Sequence, residues 1–102
     1  MQGIMQDDRE VCYLCGKGPY WTGAVVDRLE GHHIFGGPRR KASEKYGLKV
    51  YLHGIKCHRE GEDSAHRSRV TRMALQASTQ KRFEEVYGSR EEFVKIFGKN
   101  YL

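Results

Sequence analysis

The sequence lacks any long apolar run, and this absence argues against a membrane-spanning segment. It also lacks the pattern of a secretory signal, so we expect a cytoplasmic protein. Its three cysteines are an odd number that cannot pair completely in disulfides. In a reducing compartment such cysteines are more often metal ligands than disulfide partners. The cysteine content therefore favours zinc.

The charge balance is basic, with 18 Lys and Arg against 13 Asp and Glu, a net charge of +5. Such a balance is compatible with nucleic-acid binding, although many proteins with other partners share it. The 102 residues predict one domain, 1–102, and 38% hydrophobic residues leave a modest core. A domain of this kind often needs a metal as a staple.

Apolar periodicity and turn residues predict an α+β order of elements. Residues 1–10 are polar and are predicted to form a flexible end. Residues 12–66 are predicted to contain the zinc knuckles and the metal site. Residues 67–102 are predicted to form helices that support the site. Within these parts we predict strands over 29–35 and 48–52, a short helix over 38–46, a long helix over about 65–87, and a helix capped by Ser89 and Glu92 that ends at Gly98.

Two apolar sets are expected on the C-terminal helices. The long helix is predicted to bury one face, and the later apolar residues are predicted to form core against the hairpin or to support a dimer. The first set is Val70, Met73, Ala74 and Ala77; the second is Phe83, Val86, Tyr87, Phe93, Ile96 and Phe97.

A structural zinc site is predicted from two pairs at ligand spacing. Cys12-x-x-Cys15 supplies one pair, and His53-x-x-x-Cys57 supplies the other after the second strand. His53 is the weakest member, since His58 or a water molecule is an alternative fourth ligand. The competing interpretation is that the cysteines are incidental core residues.

A second constellation is the segment from Glu30 to Gly37, which contains His32 and His33, followed downstream by Cys57-His58 and by His66. Adjacent residues on a strand point to opposite faces, so a bulge or a strand end is needed for both histidines to reach one site. One imidazole would then bind a metal while the other stays free as a base.

These residues resemble the HNH, or ββα-metal, endonucleases, most closely the compact phage-encoded relatives of RecA-dependent nucleases. The resemblance rests on the His-His-Ile-Phe-Gly-Gly stretch, a basic short helix, the Cys-His pair and the later His. It covers Cys12 to about His66. It implies a ββα-metal fold with additional C-terminal helices, in a phage protein acting in a bacterial host cell.

The resemblance implies a metal-dependent endonuclease that hydrolyses phosphodiester bonds of DNA. His33 would be the general base, and His32 and His58 would bind the catalytic metal. His66 would be a third ligand, although a solvated residue is an equally good interpretation. Zinc, nickel, manganese and magnesium all remain open for this site. A larger phage or recombination complex is a further expected partner.

Two departures from the family pattern are visible. The middle asparagine that helps to orient the base has no counterpart, because the only asparagine is Asn100 and the slot falls near Gly47. Because this asparagine is missing, either another residue orients His33 or activity is reduced. The second departure is His53, which stands where relatives carry cysteine, with one extra residue before Cys57.

The predicted DNA-facing residues are Arg39, Arg40, Lys41 and Lys45 on the short helix. Interleaved carboxylates make a solvated helix face the alternative, and no base-reading pattern is visible. Two rival functions therefore stay open. One is a nucleic-acid-binding module that has lost cutting, and the other is a zinc-stabilised module that binds a protein.

Overall fold

The structure, a computed structural model, describes residues 4–6, 10–23 and 25–102. Its architecture is α+β, as predicted, with short antiparallel strand pairs and helices. The strands are β1 (Tyr20–Thr22), β2 (Val25–Asp27), β3 (Leu29–His33) and β4 (Lys49–His53). The helices are α1 (Arg40–Tyr46), α2 (Arg69–Val86) and α3 (Arg90–Phe97), with a 3₁₀ turn at Gly37–Arg39 and a π-helical turn at Gly54–Arg59.

The strand pair β3–β4 forms the centre of the fold. Leu29 lies opposite His53 at one end of the pair, and His33 lies opposite Lys49 at the other. The polypeptide between the strands contains α1, which Gly47 ends in the left-handed conformation at φ 68°. The short helix and its glycine stop were both predicted.

The predicted strand over 29–35 is two residues too long. Ile34 still donates its backbone N–H to Leu48 O at 3.0 Å, but the strand has ended. The Ser43 side chain takes over both backbone groups of Phe35, accepting from its N–H at 3.2 Å and donating to its carbonyl at 2.7 Å. A side-chain partner from α1 thus replaces the strand ladder.

The predicted start of the long helix at residue 65 is wrong. Helix α2 begins at Arg69, because the Ser68 hydroxyl caps it and accepts from Thr71 N–H at 3.1 Å. Residues before the cap instead pair with the π-helical turn: Ala65 N–H donates to Cys57 O at 2.8 Å and His66 N–H to His58 O at 3.0 Å. This pairing holds His66 beside His58.

The predicted buried face of α2 is also wrong. Val70 is 79% exposed and Met73 is 54% exposed, Ala74 is exposed and Ala77 is half-buried. The face that enters the core carries Leu75, Thr79 and Phe83 at helical spacing, together with Gln80. Thr79 and Gln80 are polar, and hydrogen bonds satisfy both inside the core.

Aromatic side chains join the C-terminal helices to the end of β3. The ring of Phe35 lies 4.8 Å from that of Phe97 and 5.5 Å from that of Phe93, which in turn lies 5.3 Å from that of Phe83. Phe83, Phe93 and Phe97 are buried as predicted, and Ile96 packs against the core half-buried. Val86 and Tyr87 are 44% and 42% exposed, so the expectation that they form core is wrong.

Helix α3 has the predicted ends. The Ser89 hydroxyl accepts from Glu92 N–H at 3.2 Å, and Gly98 is left-handed at φ 80°.

The predicted flexible N-terminus falls partly on residues 1–3 and 7–9, which lie outside the described residues. Ile4 and Gln6 are hydrogen-bonded to Gly47 and Tyr51. None of the helices in the described part of the chain is long and apolar enough to cross a bilayer.

Replacing Phe93 by Ala should lower the free energy of unfolding by about 3–5 kcal/mol, because the substitution leaves a cavity among packed rings. Val70→Ala should change it by less than about 0.5 kcal/mol, since this side chain lies in solvent. Urea denaturation followed by circular dichroism measures both. A loss for Val70→Ala as large as the one expected for Phe93→Ala would contradict the exposed position of Val70 on α2.

Candidate metal centres

Four predicted zinc ligands form one group, here called the cysteine cluster: Cys12, Cys15, His53 and Cys57. Their ligand atoms lie within 4.8 Å of one another. Cys12 and Cys15 come from a turn in which Gly16 N–H donates to Cys12 O at 2.7 Å. His53 ends β4, and Cys57 lies in the π-helical turn that follows.

His53 is oriented as a metal ligand would be. Its Nε2 lies 2.6 Å from the carbonyl oxygen of Gly18, so this nitrogen carries the proton and donates. Nδ1 therefore holds the lone pair, and it lies 3.2 Å from Cys15 Sγ and 3.9 Å from Cys57 Sγ. The structure thus favours His53 over His58 as the fourth member.

The two buried thiols differ in their protonation. Burial raises the pKa of Cys12, but hydrogen bonds from the backbone of His53, Cys15 and Leu14 outweigh it and lower the pKa to about 7. Burial and the neighbouring thiols raise the pKa of Cys57 to about 12. A cation would supply the charge that lets both sulfurs ionise. The cluster could therefore bind a metal ion such as zinc.

Three predicted ligands of the catalytic metal form a second group, here called the histidine cluster: His32, His58 and His66. His58 Nε2 lies 3.1 Å from His32 Nδ1 and 3.1 Å from His66 Nε2. Metal–nitrogen bonds of about 2.0–2.1 Å around a tetrahedron place ligand atoms about 3.3 Å apart. His58 Nε2 is thus at the separation of ligands on one cation from each of the other two nitrogens, and all three ligand atoms lie within 4.8 Å of one another.

Glu30 fixes the ring of His58. Its Oε1 lies 3.0 Å from His58 Nδ1, and its Oε2 accepts from Arg59 at 2.9 Å. The hydrogen bond from His58 holds the pKa of Glu30 below its usual range, so the carboxylate is ionised and only accepts. His58 Nδ1 must therefore carry a proton, and in the neutral tautomer the Nε2 lone pair faces the other two rings.

Two rings of the histidine cluster, those of His32 and His66, are held without charge. Burial, followed by the nearby His58, His66 and His33, lowers the pKa of His32 to about 4. Burial and the same His58 lower the pKa of His66. At neutral pH both rings then keep a lone pair available to a metal. The donor set fits a borderline cation.

His33 points away from this cluster toward α1. Its Nε2 lies 2.8 Å from Glu44 Oε2, and Lys49 Nζ lies 3.1 Å from the same carboxylate. Hydrogen bonds from His33 and Lys49 lower the pKa of Glu44, so it is ionised and accepts. His33 Nε2 consequently carries a proton, and in the neutral tautomer Nδ1 holds the lone pair.

Both adjacent histidines nevertheless reach one cavity. A cavity of about 430 Å³ is lined by His32, His33, His58 and His66, and is here called the histidine cavity. This is possible because His33 is the last residue of β3, the strand end that the sequence required. The structure thus brings all four predicted histidines of this site together.

The four basic residues predicted to face DNA do not all lie at the histidine cavity. Arg40 lines the histidine cavity, as does Arg72 of α2. The Arg39 guanidinium lies against Gly98 at the end of α3, where a Cβ would come within 2.7 Å of it. Lys41 is exposed on α1, and Lys45 lies over the ring of Tyr46 at 5.5 Å.

Three carboxylates around the histidine cluster were missed from the sequence. Glu30 and Glu44 hold imidazoles, and buried Asp27 accepts the N–H groups of Ile55 and Lys56 at 2.8 and 3.1 Å. Each partner lies on another element, 11 to 29 residues away. Pairs between a carboxylate and a distant imidazole or N–H group have no fixed sequence spacing by which they can be recognised. Only Glu30, two residues before His32, lies close enough in the sequence to suggest a place beside the site.

Comparison of the chain with protein-family models, with curated proteins and with solved structures gives no match. The site must therefore be interpreted from its own geometry.

Metal analysis of the purified protein should find about one tightly held zinc per chain. Cys57→Ser should lose this zinc and lower the melting temperature, because it removes a buried ligand of the cysteine cluster. Inductively coupled plasma mass spectrometry with thermal denaturation measures both.

His66→Ala is the matched control, since it removes a ligand from the histidine cluster and leaves all four members of the cysteine cluster intact. It should retain the tightly held zinc. Equal zinc content in wild-type protein and Cys57→Ser would show that the cysteine cluster is not the structural site.

Proposed function

We propose that the protein is a metal-dependent endonuclease of the ββα-metal type, hydrolysing phosphodiester bonds of DNA. The observation that carries this proposal is the histidine cavity. It contains a central imidazole nitrogen, of His58, that lies 3.1 Å from a nitrogen of each of two neighbouring imidazoles and, beside them, a fourth imidazole held by a carboxylate. A cation site and a proton acceptor therefore share one open pocket, which is the arrangement that hydrolysis of a phosphodiester needs.

His33 would accept the proton of the attacking water on Nδ1. The Glu44 carboxylate fixes the proton on Nε2, so Nδ1 is the nitrogen that carries a lone pair. The imidazolium formed by proton transfer would then be stabilised by the same carboxylate. The water oxygen adds to phosphorus as the bond from phosphorus to the 3′ oxygen breaks, and a proton from solvent neutralises the leaving oxygen.

His32, His58 and His66 would hold the divalent metal. When bound, such a metal supplies Lewis-acid stabilisation of the phosphorane and of the leaving oxygen. Glu30 maintains the ligand tautomer of His58 through its Nδ1–H. Arg40 and Arg72 line the same cavity and would neutralise the phosphates that flank the cleaved bond.

Supercoiled plasmid should be nicked by the wild-type protein in at least one of magnesium, manganese, nickel and zinc. His33→Ala should lower the rate by about 10²–10⁴-fold, since the general base is removed while the histidine cluster remains. Agarose gel electrophoresis of a time course measures the rate. Zinc content and circular dichroism of the variant should match those of the wild type.

Two other results of the plasmid assay would contradict the nuclease proposal. DNA binding without cutting in any of the four metals favours a nucleic-acid-binding module that has lost catalysis. Neither binding nor cutting favours a zinc-stabilised module that recognises a protein.

Glu44 should act as a positioning residue for His33. Glu44→Ala should lower kcat for DNA cleavage by about 10- to 100-fold, the usual scale for a partner that orients a working imidazole, with little change in KM. Glu44→Gln should restore part of the loss, because an amide oxygen can still accept from Nε2–H.

Glu91→Gln is a suitable control, because Glu91 is an exposed carboxylate in the first turn of α3. It should leave kcat unchanged. If Glu44→Ala cleaves DNA as fast as this control, the contact between Glu44 and His33 has no part in the reaction.

A further inference from the structure

A second cavity adjoins the histidine cavity and is here called the C-terminal groove. It has a volume of about 370 Å³ and lies between the first half of α2 and the segment after α3. Arg72 and Gln76 line both cavities, so the groove continues the site rather than standing apart from it. Its other lining residues include Arg69, Met73, Lys99 and Tyr101.

The described lining of both cavities is cationic and contains no Asp or Glu side chain. Arg40 lies in the histidine cavity, Arg72 lies at the junction, and Arg69 and Lys99 lie in the groove. Two carboxylates that contact imidazoles of the histidine cavity, those of Glu30 and Glu44, are not among the lining residues. Such a surface is complementary to a polyanion.

The junction between the cavities is rigidly positioned. Arg72 Nη1 donates to the carbonyl oxygens of His66 at 2.8 Å and of Ala65 at 3.3 Å. One of these carbonyls belongs to a member of the histidine cluster. A fixed guanidinium next to the cluster is therefore placed to bind the phosphate adjoining the one that is cleaved.

We propose that the C-terminal groove binds the DNA strand on one side of the cleaved phosphodiester, with Arg69 and Lys99 contacting successive phosphates beyond Arg72. This inference rests on the proposed nuclease function. A DNA strand suits the groove better than an acidic peptide because the groove opens from a phosphodiester site. The side chain of Met73, 54% exposed, also offers apolar surface to sugars or bases.

The test compares the double variant Arg69→Gln/Lys99→Gln with the matched pair Lys81→Gln/Lys95→Gln. The control pair removes the same charge from exposed positions outside the groove. Affinity for a fluorescein-labelled DNA duplex and for the single strand is measured by anisotropy over a salt series. All proteins carry His33→Ala so that the DNA stays intact.

The groove pair should weaken DNA binding by about 10-fold or more and reduce the slope of log K against log salt concentration by about 2, one unit for each lost phosphate contact. The control pair should change the slope far less. Equal affinities and slopes for the two pairs would overturn the assignment. Binding of poly-glutamate as tightly as DNA, with the same loss in the groove pair, would overturn the choice of DNA as occupant.

A second measurement separates this inference from the nuclease proposal. In proteins that retain His33, the groove pair should lower DNA cleavage at least about 10-fold more than it lowers hydrolysis of bis(p-nitrophenyl) phosphate, which is too small to reach the groove. Equal losses on both substrates would refute a strand-binding role. Loss of DNA affinity specific to the groove pair, in a protein whose wild type cuts nothing, would support the groove while the nuclease proposal fails.

Discussion

The structure depends on the π-helical turn Gly54–Arg59, because its adjacent residues Cys57 and His58 belong to different clusters. Buried Asp27 fixes the start of this turn by accepting two of its N–H groups. A Cβ at Gly54 would come within 2.6 Å of the Glu30 carboxyl group that holds His58, so a larger residue there would displace this carboxyl group. A metal in the cysteine cluster would therefore stabilise the same backbone that aims His58 at the histidine cavity.

The C-terminal helices secure the other end of the site. Phe35 follows His33 by two residues, and its ring packs against Phe93, Phe97 and Tyr101 at 4.8–5.5 Å. The end of β3, from which His32 and His33 both reach the cavity, is thus held by core packing as well as by strand pairing. In a chain with so small a core, the helices act as supports of the site as much as contributors to stability.

The four members of the cysteine cluster could be grouped from the sequence because each pair is local: Cys12 with Cys15, and His53 with Cys57, lie at spacings that one turn can span. The sequence predicted the buried face of α2 badly, since hydrophobic periodicity cannot recognise polar residues that are satisfied inside a core. Thr79 donates to Leu75 O at 2.6 Å, and the Gln80 side chain bonds both Asn100 and the backbone of Tyr101. Glu44 was missed because its partner His33 lies on another element, 11 residues earlier in the chain.

The position of Glu44 bears on the missing asparagine, which is the main departure from the family pattern. The chain has one asparagine, Asn100, and its side-chain oxygen accepts a hydrogen bond from Gln80 in the second half of α2. Glu44 instead reaches His33 from α1, one turn before the glycine at the expected slot. A carboxylate differs from an amide in charge as well as shape, since it favours the protonated imidazole that proton abstraction creates. Hydrogen bonds from His33 and from Lys49, which lies opposite His33 across the strand pair, hold the pKa of that carboxylate below its usual range. The β3–β4 register therefore places the proposed base next to the cation that shares its carboxylate partner.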